Sequence, residues 1–143
     1  ELNILEEKDG TCHLNLGGTS VSLFHYGYPT LGRFERWSGL AVASLEDISA
    51  MKLSAVLGRG SKKDFIDLHE LCGKLGLERI MKTAKRKFPR HRDFPLQAAR
   101  ALVYFEDAEK EAMPRMLRAT SWEEVKSYFE GAIPKYVKGQ LTR

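Results

Sequence analysis

Cysteine is scarce in this chain of 143 residues: Cys12 and Cys72 lie far apart and neither has a CxxC partner. Two such thiols build neither a disulfide-rich secreted scaffold nor a zinc cluster, and they predict a reducing, cytoplasmic compartment. Histidine is equally sparse, and His13, His25, His69 and His91 show no HxxxH or CxxH spacing, so no metal site is read from them. No apolar run approaches the roughly 20 residues that span a bilayer. The acidic opening ELNILEEKDG is the reverse of a basic signal-peptide head, and no membrane partner is expected. The chain does not open on Met, and it reads as a processed product or an excerpt of something longer.

Carboxylates are missing where phosphate chemistry would need them. Gly17-Gly18-Thr19-Ser20 has the composition of a phosphate cradle. A P-loop requires a following Gly-Lys-Ser/Thr, and a metal-dependent nucleotide transfer requires a Gly-Ser turn leading to Asp-x-Asp. Neither follows, because no aspartate occurs between Thr19 and Asp47 and Glu35 is a solitary acid. The glycines therefore read as a hairpin turn. No Ser-His-Asp or Cys-His assembly can be nominated, and Cys72 reads as a small core residue on an apolar helix face.

What the chain does have is ordinary globular composition, 43% hydrophobic and 29% charged, with its charge unevenly placed. Residues 1–51 carry 3 basic and 7 acidic side chains, net −4; residues 52–92 carry 12 and 4, net +8; residues 93–143 carry 8 and 8. From Arg79 through Lys82, Lys85, Arg86, Lys87, Arg90 and Arg92 no carboxylate intervenes. Such a field attracts phosphate, as nucleotide or nucleic acid; a solvated helix face running into a loop explains the same residues equally well.

The pattern along the chain predicts an α+β fold: a small antiparallel sheet or hairpin first, then a bundle of about five helices, in a single domain with a β-rich segment 1–43 and a helical segment 44–143. Cys12, Leu14 and Leu16, the Gly17-Gly18 turn, then Val21 and Leu23 read as a hairpin, followed by a loop over 32–39. Ser44-Leu-Glu-Asp47 is a capping box opening a helix expected to stop at Gly58. Ser61-Lys-Lys-Asp64 is a second, opening a helix to Gly76. A third helix spans Leu77 to about Lys87, and a fourth starts at Pro95. Ser121-Trp-Glu-Glu124 caps a last helix through Phe129, kinked or ended at Pro134.

Lys52 is the most informative single position. At helical spacing it stands with Ile48, Ala55 and Val56, inside the apolar arc. A cation there either snorkels or pairs with a buried carboxylate, or is aimed at a phosphate in a cleft. Asp64 falls in the seam of Leu68, Leu71 and Leu75, where an ionised carboxylate needs a partner, although capping also accounts for it. Asp67 can pair with Lys63 at i+4. Lys52, Arg59, Lys63, Asp64 and Asp67 thus crowd one helix-turn-helix.

The run ASLEDISAMKLSAVLGRGSKKDFIDL, from Ala43 to Leu68, resembles the central signature of the AbiEii/AbiGii toxin family of nucleotidyltransferases, a divergent branch of the DNA polymerase β superfamily. SVSLFHYGYPTL resembles the strand and loop before that signature, and ALVYFEDAEKEAMPRML with SWEEVKSYF resembles the family's later helices. The resemblance implies transfer of a nucleotide from an NTP, with Mg²⁺, to an acceptor that is RNA such as tRNA. By it Lys52 corresponds to the lysine that contacts the triphosphate, and Asp64 with Asp67 to the downstream acidic motif. The cationic residues Arg59, Lys62, Lys63, Lys82, Lys85, Arg86, Arg90 and Arg92 become candidates for nucleotide or nucleic-acid binding. The Gly-Ser and Asp-x-Asp half of the family pattern is not found here, so the chain reads as a carboxy-terminal portion that retains no cofactor alone. Its expected partners are RNA or nucleotide, an antitoxin, or the missing amino-terminal half. The alternative is a stand-alone nucleic-acid-binding or protein-interaction module derived from that family.

Overall fold

The computed structural model describes residues 2–142, and over them the chain forms five strands followed by six helices. β1 (Leu2–Lys8), β2 (Thr11–Leu16) and β3 (Thr19–Phe24) form an antiparallel meander in the order β1-β2-β3. Its tight connections are set by backbone chemistry. Asp9 and Gly10 have φ of 50° and 74°, and Gly17 and Gly18 have φ of 56° and 86°. Positive φ at both central residues is the turn whose twist matches paired strands. Gly17-Gly18 is therefore a hairpin turn, as its composition indicates.

A second hairpin replaces the loop expected over 32–39. β4 (Glu35–Trp37) pairs with β5 (Leu40–Val42) across Ser38 and Gly39, again both at positive φ. Three-residue strands carry too few side chains for alternation to register, which is why the pattern does not reveal them.

In the meander Leu2 faces Leu16, Ile4 faces Leu14, Leu14 faces Val21 and Cys12 faces Leu23. Side chains paired this way share one face of a sheet. Leu2, Ile4, Leu16 and Leu23 remain exposed, because these strands make their main contacts with one another. A train of rings links the sheet to the helices: Tyr26 to Tyr28 at 5.4 Å between centroids, Tyr28 to Phe88 at 4.8 Å, and Phe88 stacked on Phe94 at 5.3 Å.

The helical segment holds the core. α1 (Leu45–Arg59) packs against α2 (Lys62–Leu75), α3 (Leu77–Lys87) and α4 (Phe94–Ala101). α5 (Glu106–Glu109) is a single turn, and α6 (Trp122–Leu141) lies against α2. Five helices of eight residues or more thus follow the sheet, as the periodicity predicts. Phe65 anchors the α2–α6 contact, ringed by Phe105, Trp122 and Phe129 at centroid separations of 5.3, 5.8 and 5.9 Å.

Helix ends and caps differ from the sequence reading at several points, and α4 begins at Phe94, one residue before Pro95. α1 continues past Gly58 to Arg59 and is closed by Gly60 at φ 58°, whose N–H donates to the Ala55 carbonyl at 3.3 Å. Ser61 does not cap α2 through its side chain. Its hydroxyl instead donates to Asp64 Oδ2 at 2.6 Å, a charge-assisted bond stronger than one to a neutral acceptor. α6 runs on through Pro134, because Ile133 in the core and Tyr136 and Val137 against it hold the last turns in place. The Ser44 and Ser121 hydroxyls do cap their helices, accepting from the backbone N–H of Asp47 and Glu124, each at 3.1 Å.

Candidate functional site

The junction of α1 and α2 gathers four of the nominated residues. Asp64, at 0% exposure, sits on the first turn of α2 and receives Arg59 Nε at 2.6 Å on one oxygen and Arg59 Nη2 at 2.9 Å on the other. Lys52 Nζ lies 3.2 Å from Asp64 Oδ1 and 2.6 Å from Asp67 Oδ2. Asp67 therefore pairs with Lys52 on the neighbouring helix, and the i+4 pairing with Lys63 is not the one formed. Lys52 reaches this position from the inner arc of α1, as its helical spacing requires, and keeps 29% of its side chain exposed. Arg59 keeps 60%.

The electrostatics follow from this arrangement. Burial alone would raise the Asp64 carboxyl, but Arg59, Ser61 and Lys52 outweigh it and bring it down to about 2. Partial burial opposes charge on Lys52 as well, yet the hydrogen bonds and charges of Asp67 and Asp64 hold its ammonium above the ordinary value. Arg59 is likewise raised, chiefly by Asp64. The result is one sealed carboxylate clamping two cations whose side chains stay partly exposed.

The other nominated cations divide. Lys62 is buried: its ammonium donates to the Glu111 carbonyl at 2.5 Å and lies 5.2 Å from the centre of the Trp122 ring. Lys63 is exposed on the outer side of α2. Lys82, Lys85 and Arg86 are exposed on α3, whose opposite side buries Ile80, Met81 and Ala84, and Arg90 and Arg92 are exposed in the turn that follows. Arg79 is ion-paired with Glu46 of α1. A hollow of about 320 Å³ opens here, lined by Leu31, Gly32, Glu46, Thr83 and the cations Arg79, Lys82 and Arg86. Glu46 and Lys52 stand about 120° apart around α1 at 3.6 residues per turn. The basic hollow and the Lys52 cluster thus occupy different flanks of that helix.

One member of the basic run is not on the surface at all. Lys87 is almost fully buried, and its Nζ donates to Asp47 Oδ1 at 2.6 Å and to the Pro29 carbonyl at 2.7 Å, with the Tyr26 ring 5.1 Å away. Asp47 also accepts from the N–H groups of Leu31 at 3.0 Å and Gly32 at 2.8 Å, and from Ser44 Oγ at 2.8 Å. Burial opposes this charge too, but Lys87, the two backbone donors and Ser44 hold the carboxyl well below the usual range. This clasp fixes the loop that forms one wall of the basic hollow. Its sequence signal was present: Lys87 falls at helical spacing from Ile80 and Ala84, on the inward side of α3.

A family model described as Nucleotidyl transferase AbiEii toxin, Type IV TA system, matches residues 28–137. The chain belongs to the AbiEii nucleotidyl transferase toxin family. It is 37% identical over 139 residues to an uncharacterized protein, aq_aa25, of Aquifex aeolicus (strain VF5), an alignment covering 94% of this chain and 65% of that one. The chain therefore spans just under two thirds of that relative's length. No solved structure matches it significantly.

Membership in the AbiEii family brings a magnesium ion into question, and the gathered residues do not fit one. Both Asp64 oxygens are engaged by cations and a hydroxyl, and Asp67 is engaged by Lys52. Among the described residues no group of three His, Cys, Asp or Glu side chains comes together as a metal centre. Magnesium needs near-octahedral oxygen ligation, which a carboxylate already saturated by cations cannot join. Among the described residues no helix is long and apolar enough to cross a membrane.

Proposed function

We propose that this chain supplies the phosphate-facing cations of a nucleotidyltransferase, and that it does not transfer nucleotide alone because the carboxylates it gathers are committed to cations. The observation that carries the reading is Asp64, fully buried and holding Lys52 and Arg59, whose side chains stay partly exposed. Cations fixed before the substrate arrives need little reorganisation to meet charge that develops on a departing pyrophosphate. Arg59 brings planar donors suited to phosphate oxygens, and Lys52 a compact charge. Asp67, half exposed, is the partner Lys52 exchanges for a phosphate.

In this reading Asp64 is a positioning residue. A carboxyl near 2 with both oxygens occupied has no capacity to take a proton from an acceptor hydroxyl at neutral pH. The acceptor, RNA such as tRNA, lies along the exposed cations of α3 and the following turn. We propose a cognate antitoxin as a partner, which membership of a toxin–antitoxin family supports, and a cytoplasmic setting.

Isothermal titration with a non-hydrolysable nucleoside triphosphate tests the assignment: binding is expected for the wild type and a loss of tenfold or more for Lys52→Ala and for Arg59→Ala. In parallel, the chain alone with Mg²⁺, tRNA and each of the four NTPs is expected to incorporate no label. Equal triphosphate affinity in both variants overturns the cation assignment, and incorporation lost on Lys52→Ala overturns the dependence on other carboxylates. The second reading, a stand-alone nucleic-acid-binding module, is favoured by the exposed cations of α3 alone. It prevails if nucleic acid binds and triphosphate does not.

A further inference from the structure

On the flank of α3 away from loop Leu31–Gly32, a groove of about 480 Å³ opens between α3, α4 and α6. Its floor and walls are apolar: Met81 from α3, Pro95, Leu96 and Ala99 from α4, and Tyr136 and Val137 from α6. Its α3 rim carries Lys82 and Lys85, while Glu78 also lines it. Lys82 lines the basic hollow as well, so one side chain borders both openings. Leu96, on the groove wall, is 61% exposed, a large apolar side chain left in water.

We propose that this groove receives one unstacked base of a single-stranded nucleic acid whose backbone runs over Lys82 toward Arg86 and the hollow. The proposal rests on the acceptor surface described above and gives it a position and a mode of recognition. An apolar cleft with an aromatic wall takes the uncharged face of a base, and adjoining cations take its phosphates; that pairing is how strand binders hold single strands without reading sequence. Charge complementarity selects this occupant. Glu78 lines the groove and Glu46 the hollow, where it pairs with Arg79, yet the exposed cations Lys82, Lys85, Arg86, Arg90 and Arg92 outnumber them, which suits a chain of phosphates continuing beyond the groove better than a single small molecule confined to it. A duplex keeps its bases stacked and presents only its backbone, so it reaches the cations and leaves the groove empty.

Fluorescence anisotropy with a labelled ten-nucleotide strand, RNA or DNA, and with its duplex tests this. Tyr136→Ala is expected to weaken single-strand binding about tenfold, and Leu96→Ala to weaken it in the same direction through lost apolar contact. The slope of log affinity against log salt should not change, because no phosphate contact is lost, and duplex affinity should stay as in the wild type. Leu96→Ala removes an exposed side chain, so it reads the groove even if Tyr136→Ala loosens α6. The proposal is overturned if both folded variants bind the strand as the wild type does, if strand and duplex lose affinity equally, or if a free mononucleotide binds more tightly than the strand. Triphosphate binding at Lys52 is not read in this measurement, so either assignment can fail while the other stands.

Discussion

Lys87 and Asp47, forty positions apart in the chain, meet at 2.6 Å with both side chains almost completely enclosed. Around that pair the Pro29 carbonyl and the N–H groups of Leu31 and Gly32 are satisfied, so one ammonium and one carboxylate tie α3, α1 and the loop at 29–32 together. Removing one partner leaves a charge with nothing to answer it. Lys87→Met is expected to lower unfolding free energy by about 3–5 kcal/mol, measured by urea titration. Lys87→Arg should not restore it, because a planar fork does not fit an enclosure shaped to a compact ammonium.

Gly32 has no room for a side chain. A methyl group there would fall 2.2 Å from Ser44 Oγ and 2.5 Å from Ser44 Cβ. Gly32→Ala is expected to destabilise by about 1–3 kcal/mol, since the loop or the cap must move. Gly58 is the contrasting case, inside α1 with nothing within 4 Å of an added Cβ. Gly58→Ala should raise stability by about 0.5–1 kcal/mol. Thermal melts of the two variants are expected to shift in opposite directions.

The acid limb of stability should report Asp64. Its carboxyl is about 2 in the folded chain against an ordinary 3.8, so its stabilising contribution is complete above the unfolded value and disappears as pH falls through that window. The share is about 2 kcal/mol. Denaturant unfolding between pH 5 and pH 2 is expected to show the wild type losing this increment, with Asp64→Asn less stable at pH 6 and less sensitive to acid. Asp47, lowered in the same direction, keeps some acid dependence in that variant.

Salt dependence separates the cations that face solvent from those that do not. Arg86→Ala and Arg90→Ala are each expected to weaken nucleic-acid binding and to reduce the salt slope by about one. Lys62 is turned to the Glu111 carbonyl and the Trp122 ring, so its replacement should appear in stability instead. Anisotropy titrations from low to high salt, together with melting curves, distinguish the two behaviours.

Much of this was legible because helical periodicity is strict. The spacing of Phe65, Leu68, Leu71 and Cys72 places α2, Gly76 ends it, and the inward position of Lys52 points to a carboxylate or a phosphate. The structure shows the carboxylates. Tertiary partners were harder to read. Nothing local to Lys62 announces Glu111, and Ser61 gave up its capping role because a charged acceptor lay within reach of its hydroxyl. The basic run is uniform in sequence, yet helix geometry turns Lys87 inward while the two cations just before it, Lys85 and Arg86, stay in water. The second hairpin, β4–β5, is too short for alternation to reveal, although Ser38-Gly39 had turn composition.

The order in which partners occur along the chain bears on how the molecule assembles. β1 to β3 pair in sequence, and α1 to α3 succeed one another with short turns between them. Such local closures form early and fast. The reach of Lys87 back to Asp47 and Pro29 is a distant closure that only an already collapsed chain can make. Its loss should therefore hasten unfolding far more than it slows refolding, leaving a protein that reaches its native state at nearly the normal rate and then keeps it for a shorter time.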